Sequence, residues 1–400
     1  MKAFSAFLLS VLLAVSASCC WAEEKIVLGA IWSQVGVAAP IGQGAYKGSQ
    51  LAVKMANEAG GLFGHAVELA VIDGQSDPTA IANASTRLTK ELKVLAACGL
   101  EDDSLVSAAG PIFQEEKTVF LAGTATTPTI PSMGDFVFMA AFGDNYQGRA
   151  AAKYAISKLG WKKTAVIWDN ASAYSTDIAR YYMEAFKEYS GDANSVVHQE
   201  MYQTGDTNFT AQLTRLKTVM AKESVDGILI APPFPQDAPI IAKQAISLGL
   251  KLPMIITDGG DDQSVIEVGG SAVEGTIIST HFAADNPLTE NAKNFVEAYR
   301  AEYNAEPGAF ECLGFDAIRV LLESIEVIGK EKWEAMDLAQ RRVALRDSIQ
   351  NTHFKTTTMP MFYPDPDKSN FPRVTLKPIV FKVIKNAHRI YHGSLSPEEL

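Results

Sequence analysis

Thr118-Val-Phe-Leu-Ala-Gly-Thr-Ala-Thr-Thr-Pro128 is the stretch on which the reading of this chain turns. An apolar, β-prone run at 118–122 is cut off by Gly123, then by three threonines and Pro128, so a buried strand ends in an exposed polar loop. In an open parallel α/β sheet, ligands sit outside the carboxyl ends of the strands. Small hydroxyls and free backbone N–H groups there suit a carboxylate or an amide. On these residues alone two readings stay open: an ordinary strand-to-loop transition, or one wall of a site for something small.

Upstream of this stretch, strand and helix patterns alternate. Strands are expected at 26–32, 66–73 and 94–98, and helices at 44–58, 78–91 and 104–116. Such an alternation builds a parallel sheet covered on both faces, because right-handed crossovers place the helices there. Downstream, a short apolar run at 136–142 precedes a second alternation. Its strands are expected at 164–168, 195–200, 227–231, 254–257 and 276–280, and its helices at 145–159, 176–188, 209–222, 238–248 and 265–268. Two helices follow at 289–303 and 310–328, the second with Leu313, Ala317, Val320, Leu321 and Ile325 at helical spacing. A further helical stretch at 345–351 precedes β-type alternation at 374–384 and 387–392.

The expected fold class is therefore α/β: two Rossmann-like lobes with parallel sheets, joined by a hinge that the chain crosses more than once. The organisation expected is an export signal at 1–22, lobe one at 23–131 and 284–331, lobe two at 132–283, and a C-terminal segment at 332–400 bridging the lobes. A chain of 400 residues exceeds what one hydrophobic core usually serves.

Met1-Lys2 and the apolar run at 3–17 have the n-region and h-region of an export signal and are too short to span a bilayer. Cleavage after Ala22 fits the small residues Cys20 and Ala22; lipid modification at Cys19 or Cys20 is the alternative, against which stands the absence of a large aliphatic residue before either. A net charge of −11 without a basic cluster argues against nucleic acid and anionic lipid surfaces as partners. Beyond the signal only Cys98 and Cys312 remain. In an oxidising compartment they pair if the fold brings them together, or else they are two inert buried thiols.

Five loops at carboxyl ends of expected strands form the constellation to test: 99–104, 124–127, 169–174, 231–235 and 257–260. Asp103 and Ser104 are read either as caps of the helix they open or as pocket residues. Tyr174 is either a cleft aromatic or a loop ring packing on its own helix. Asp258 ends an apolar strand and needs a partner if buried; a ligand ammonium would serve. Enzyme signatures are thin. Gly42-Gln-Gly44 lies ten residues beyond Trp32, too far for a dinucleotide loop, and there is no nucleophile elbow, P-loop or His-Glu-x-x-His. The six histidines show no ligand spacing, and Asp365-Pro-Asp-Lys-Ser-Asn370 lacks the glycine and distal glutamate of a calcium loop and reads as a hairpin turn. No cofactor and no metal are expected.

With this pattern assembled, the chain resembles the periplasmic solute-binding proteins of the type I fold, in the family of branched-chain amino acid (Leu/Ile/Val) binding proteins that serve ABC importers. The resemblance covers the whole chain after the signal. Its carriers are Ile26-Val-Leu-Gly-Ala30, Gly48 with Ala56-Asn-Glu-Ala-Gly-Gly61, Asp73-Gly-Gln-Ser-Asp-Pro78, Gly123-Thr-Ala-Thr-Thr-Pro128, Asp144-Asn-Tyr-Gln-Gly148, Asp169 to Tyr174 and Gly314-Phe-Asp-Ala317.

The resemblance implies that a ligand carboxylate is held near Asp103 or Ser104 and by Thr124, Ala125 and Thr126. It implies an ammonium at Asp258, and Tyr174 and Phe234 as walls. It also implies an inner-membrane ABC permease as partner, a periplasmic location and no enzymatic step. Two departures bear on the solute. Glu101-Asp-Asp103 stands where relatives carry Ser-Ser or Ser-Gly, and Pro232-Pro-Phe-Pro235 replaces tyrosines. The expected function is capture of a small polar solute, an amino acid of branched-chain type, by hinge closure. Alternatives are amides, urea-like solutes or aromatic carboxylates, or a ligand-sensing module for a chemoreceptor.

Overall fold

The computed structural model describes residues 25–367 and 369–400; the expected signal at 1–22 lies outside them. The first sheet contains β1 (Ile26–Trp32), β2 (Val67–Asp73), β3 (Ala96–Gly99), β4 (Val119–Ala122) and β5 (Val137–Met139). All pair in parallel, in the order β2-β1-β3-β4-β5. Helices α1 (Ala39–Glu58), α2 (Pro78–Thr86) and α3 (Asp103–Glu115) make the crossovers. Strands β3, β4 and β5 are buried at every position, which is why they read as unbroken apolar runs: a covered parallel sheet hides both faces.

The chain then builds a second sheet. Helix α4 (Asp144–Ser157) leads to β6 (Thr164–Asp169), α5 (Ala173–Ser190), β7 (Val196–Tyr202), α6 (Thr210–Met220), β8 (Gly227–Ala231), α7 (Asp237–Ser247), β9 (Met254–Ile256), α8 (Ser264–Gly269) and β10 (Ile277–Thr280). It returns to the first sheet through α9 (Glu290–Tyr303), α10 (Ala309–Ile328), α11 (Lys330–Glu334) and α12 (Leu338–Asn351). A two-residue ladder, β11 (His353–Phe354) with β12 (Met361–Phe362), precedes β13 (Ile379–Lys385) and β14 (His388–Leu395), which extend the second sheet to β14-β13-β10-β9-β8-β6-β7. Both added strands run antiparallel to their neighbours.

Two details depart from expectation. The short run at 136–142 holds a strand of the first sheet, Phe120 pairing with Val137 and Ala122 with Met139, so the chain leaves that sheet after Met139 and not at 132. Three apolar residues suffice for an edge strand when its neighbour is already buried. Cys98 and Cys312 are both buried and free, and burial pushes the Cys98 thiol up to about 12.

Three segments cross between the sheets side by side: 140–143, 281–284 and 375–378. Thr375 donates its hydroxyl to the Ala140 carbonyl at 3.1 Å. The Phe142 ring stacks on His281 at 3.9 Å between centroids, and the Lys377 ammonium stands 6.0 Å from the Phe142 ring centre. The antiparallel addition is pinned by a buried triad. Asp261 accepts from Lys382 at 2.8 Å and from Arg389 at 2.5 Å. Burial alone would raise the Asp261 pKa, but the two cations hold it well below the usual carboxylate range.

Helices α1 and α10 pack so closely that neither tolerates a side chain at the crossing. A Cβ at Gly48 would come within 1.9 Å of the Glu311 carbonyl oxygen, and one at Gly314 within 1.9 Å of the Ala45 carbonyl oxygen. Gly314→Ala therefore forces the helices apart. We expect a loss of about 1–3 kcal/mol in denaturant unfolding, although alanine is the better helix former. An unchanged or raised midpoint would contradict this packing.

Candidate ligand site between the two sheets

The loops that follow β3, β4 and β9 and the start of α5 meet between the sheets, all at carboxyl ends of strands, and enclose one cavity. Asp103, Thr124, Ala125, Thr126, Tyr174 and Asp258 line it together with Ile41, Pro233 and Phe310. Its volume is about 20 Å³, room for about one water, so a solute of several heavy atoms enters only when the lobes part. A larger groove of about 910 Å³ lies between α12 and the end of α3. It sits at the amino ends of the strands, where an open α/β sheet does not place its ligands.

Asp102 is the N-cap of α3 and accepts the Ser104 backbone N–H at 2.9 Å. Ser104 is exposed and turns its hydroxyl back to the same carboxylate. Ser104 is thus not brought to the cavity, because the cap claims it. Asp103 does face the cavity; burial first, and the Asp102 charge next, push its pKa up to about 7. Glu101 turns toward the loop after β1, accepting the Ser33 N–H at 2.7 Å and its hydroxyl at 3.0 Å. Burial pushes Glu101 up to about 7 as well.

From the second sheet, Asp258 is buried and already partnered. The Tyr174 hydroxyl donates to its Oδ1 at 2.6 Å, while lying 2.7 Å from the Thr257 hydroxyl and accepting the Gly259 N–H at 3.3 Å. Burial and the Asp258 charge keep the Tyr174 pKa well above its ordinary value, so the phenol remains a donor. His281 Nε2 lies 3.0 Å from Asp258 Oδ2. Burial lowers the His281 pKa despite that carboxylate, so a neutral ring donates through Nε2. The protein itself therefore supplies the partners that the sequence left to a ligand. Phe234 is not among the residues lining the cavity; it belongs to the apolar cluster of the first lobe that includes Ile41, Ala125 and Phe310, since a ring flanked by prolines is held against the facing lobe.

Sequence reasoning missed Asp144 and His281. Asp144 opens α4 directly after the first crossing and is fully buried, and its N–H donates to the Thr126 carbonyl at 2.9 Å. A carboxylate following a seven-residue apolar run was the available signal. His281 gave none, because its environment is made by residues distant in the chain.

Comparison with known proteins bears on what this cleft does. A family model described as periplasmic binding protein matches residues 25–369. The Leu/Ile/Val-binding protein homolog 3 of Brucella melitensis biotype 1 is 25% identical over 310 residues, covering 77% of this chain and 80% of that protein. A leucine binding protein from Thermotoga maritima superposes with a TM-score of 0.81 at 27% identity, over 94% of this chain and 100% of that one. A branched-chain amino acid transporter substrate binding protein from Streptococcus pneumoniae, solved in complex with isoleucine, gives 0.79 at 25% identity, over 93% and 99%.

Asp103 carries a raised pKa in the fold, so the folded protein binds more protons than the unfolded chain between about pH 4 and 7. Its ionisation costs stability that is absent below the unfolded pKa and complete above the folded one. Asp103→Asn should raise the melting midpoint by a few degrees at pH 8, with the gain shrinking toward zero at pH 4. Melting curves across that range check it, and a gain that grows as pH falls would reverse the assignment.

Proposed function

Because the chain belongs to the periplasmic binding protein family, we propose that it is the extracytoplasmic solute-binding component of an ABC importer. It captures a small polar solute between its two lobes and delivers it to an inner-membrane permease. The observation that carries this reading is the meeting of strand ends from both sheets on one enclosed cavity. Three adjacent crossings allow the lobes to open and close as bodies, and closure buries the solute against both.

The solute class supported first is an amino acid of branched-chain type, as the names of the relatives suggest. The loop at 124–126 offers the Thr126 hydroxyl and backbone to a carboxylate, the Thr124 hydroxyl being donated to the Leu100 carbonyl. Ile41, Pro233 and Phe310 offer an apolar wall, and the carboxyl of Asp258 stands at the cationic end. Export by the segment at 1–22 and a periplasmic site of action belong to the same proposal, as does the division into lobes near 23–139 with 284–375, and 140–283 with the final strands. No covalent step is proposed. A second reading, an amide or urea-like solute, is favoured by Asp103, whose carboxyl faces the cavity where the resemblance implies a residue that receives a ligand carboxylate.

A thermal-shift screen of ligand-stripped protein tests this. A true solute at 100 times its dissociation constant adds about 2.7 kcal/mol of stability, a shift of several degrees. We expect it with leucine, isoleucine or valine. A shift with amides alone would move the solute and keep the role, while silence across amino acids, amides, urea and aromatic acids would overturn the role.

A further inference from the structure

Helix α10 turns Phe315, Arg319, Leu322 and Glu326, spaced three or four apart, toward one cavity of about 310 Å³. The end of α1 and the start of α9 supply its other walls. Met55, Leu62, Phe315 and Leu322 give it apolar surface, while Ala56 and Ala59, with only methyl groups, leave it open. Its volume falls in the range of small-molecule sites, about 300–1,000 Å³, and none of its residues lines the interlobe cavity. Arg319 is half-buried, and its one hydrogen bond runs from Nε to the Thr356 hydroxyl at 3.2 Å. That hydroxyl donates in turn to Glu323 Oε2 at 2.7 Å. Every other arginine among the described residues meets a carboxylate or a backbone carbonyl. Arg319 is the exception: of its five N–H donors, the four on Nη1 and Nη2 have no partner among the described residues.

We propose that this cavity is a second ligand site, separate from the cleft, for a small monocarboxylate with an apolar body. The planar guanidinium fork of Arg319 matches a carboxylate and binds it through two parallel N–H donors. Phe315, Leu322 and Met55 take the apolar body out of water, and the Asn294 amide brings a further N–H donor to the same cavity. A single negative charge is specified over a phosphate because the cavity holds one cation and the Glu326 carboxylate also lines it, so a dianion meets repulsion that one guanidinium does not offset. An apolar body is specified over a polyol because the polar groups are largely taken. The Asn291 amide donates to the carbonyls of Lys355 and Thr357, and the Thr356 hydroxyl is shared between Arg319 and Glu323. Helices α1, α9 and α10 all pack on the first sheet, so binding here does not depend on the lobes closing.

The test is a matched pair, hexanoate and hexanamide, equal in length and different in charge. Each is titrated by calorimetry at physiological ionic strength into the wild-type protein and into Arg319→Gln, Ala56→Phe and Thr126→Val. We expect saturable hexanoate binding by the wild type, with hexanamide weaker by about tenfold or more. Arg319→Gln keeps much of the stem and the space but removes the charge, and should weaken hexanoate by about ten- to hundredfold, the range of a charged hydrogen bond. Ala56→Phe keeps the charge and fills the cavity, and should weaken it likewise, so the two variants report independently should either melt early. Thr126→Val alters only the interlobe cavity and should leave hexanoate binding as it is. Hexanoate binding that survives either Arg319→Gln or Ala56→Phe overturns the site; if it is lost instead in Thr126→Val, it belongs to the cleft, and the solute-binding role stands. Equal binding of hexanamide, or no binding of hexanoate by the wild type, overturns the proposal as well.

Discussion

His281 stands at the junction of hinge and cleft, and the organisation of this protein depends on the contacts it makes there. One face stacks on Phe142 of the first crossing, and the Nε2 edge reaches Asp258 on the cavity wall. Asp258 in turn holds Tyr174 at the start of α5. The first crossing is thereby connected to the cavity wall through two short, buried polar links. Burial disfavours the charged ring, so the link is a neutral donor facing a carboxylate, which avoids the desolvation cost of a buried ion pair.

Two neighbouring groups of buried carboxyls are treated differently. Around Asp261 the carboxylate is fully partnered: two cations and the Thr280 hydroxyl surround it, and they fasten two antiparallel strands to an otherwise parallel sheet. Around the cleft, acids outnumber their partners. Asp103, Asp144 and Glu101 all carry raised pKa values, in each case first because of burial. Stability alone would not select this. On the proposed reading, a solute that enters this carboxyl-rich cavity supplies partners the free protein lacks.

Much of the architecture was legible in the chain. Alternating apolar and amphipathic runs predict the strands and helices of both sheets within a few residues. Loops such as 124–127 and 257–260 fall at strand ends, where they form the cavity. The failures have physical causes. Three residues, Val137 to Met139, are too few for periodicity to mark as a strand. Ser104 and Phe234 carry side chains suited to a pocket, yet one is drawn away by a helix cap and the other by packing against the facing lobe.

Periodicity and turn chemistry are local properties, so the sequence by itself determined the α/β class, the doubled topology, the strand-end loops and the family resemblance. The partners of buried polar groups are not local. Tyr174 meets Asp258 across 84 residues and Lys382 meets Asp261 across 121, and no spacing rule links such pairs. Which carboxyls would be satisfied and which left bare was therefore decided only by the tertiary structure, because the cost of burying a charge depends on what the fold places beside it.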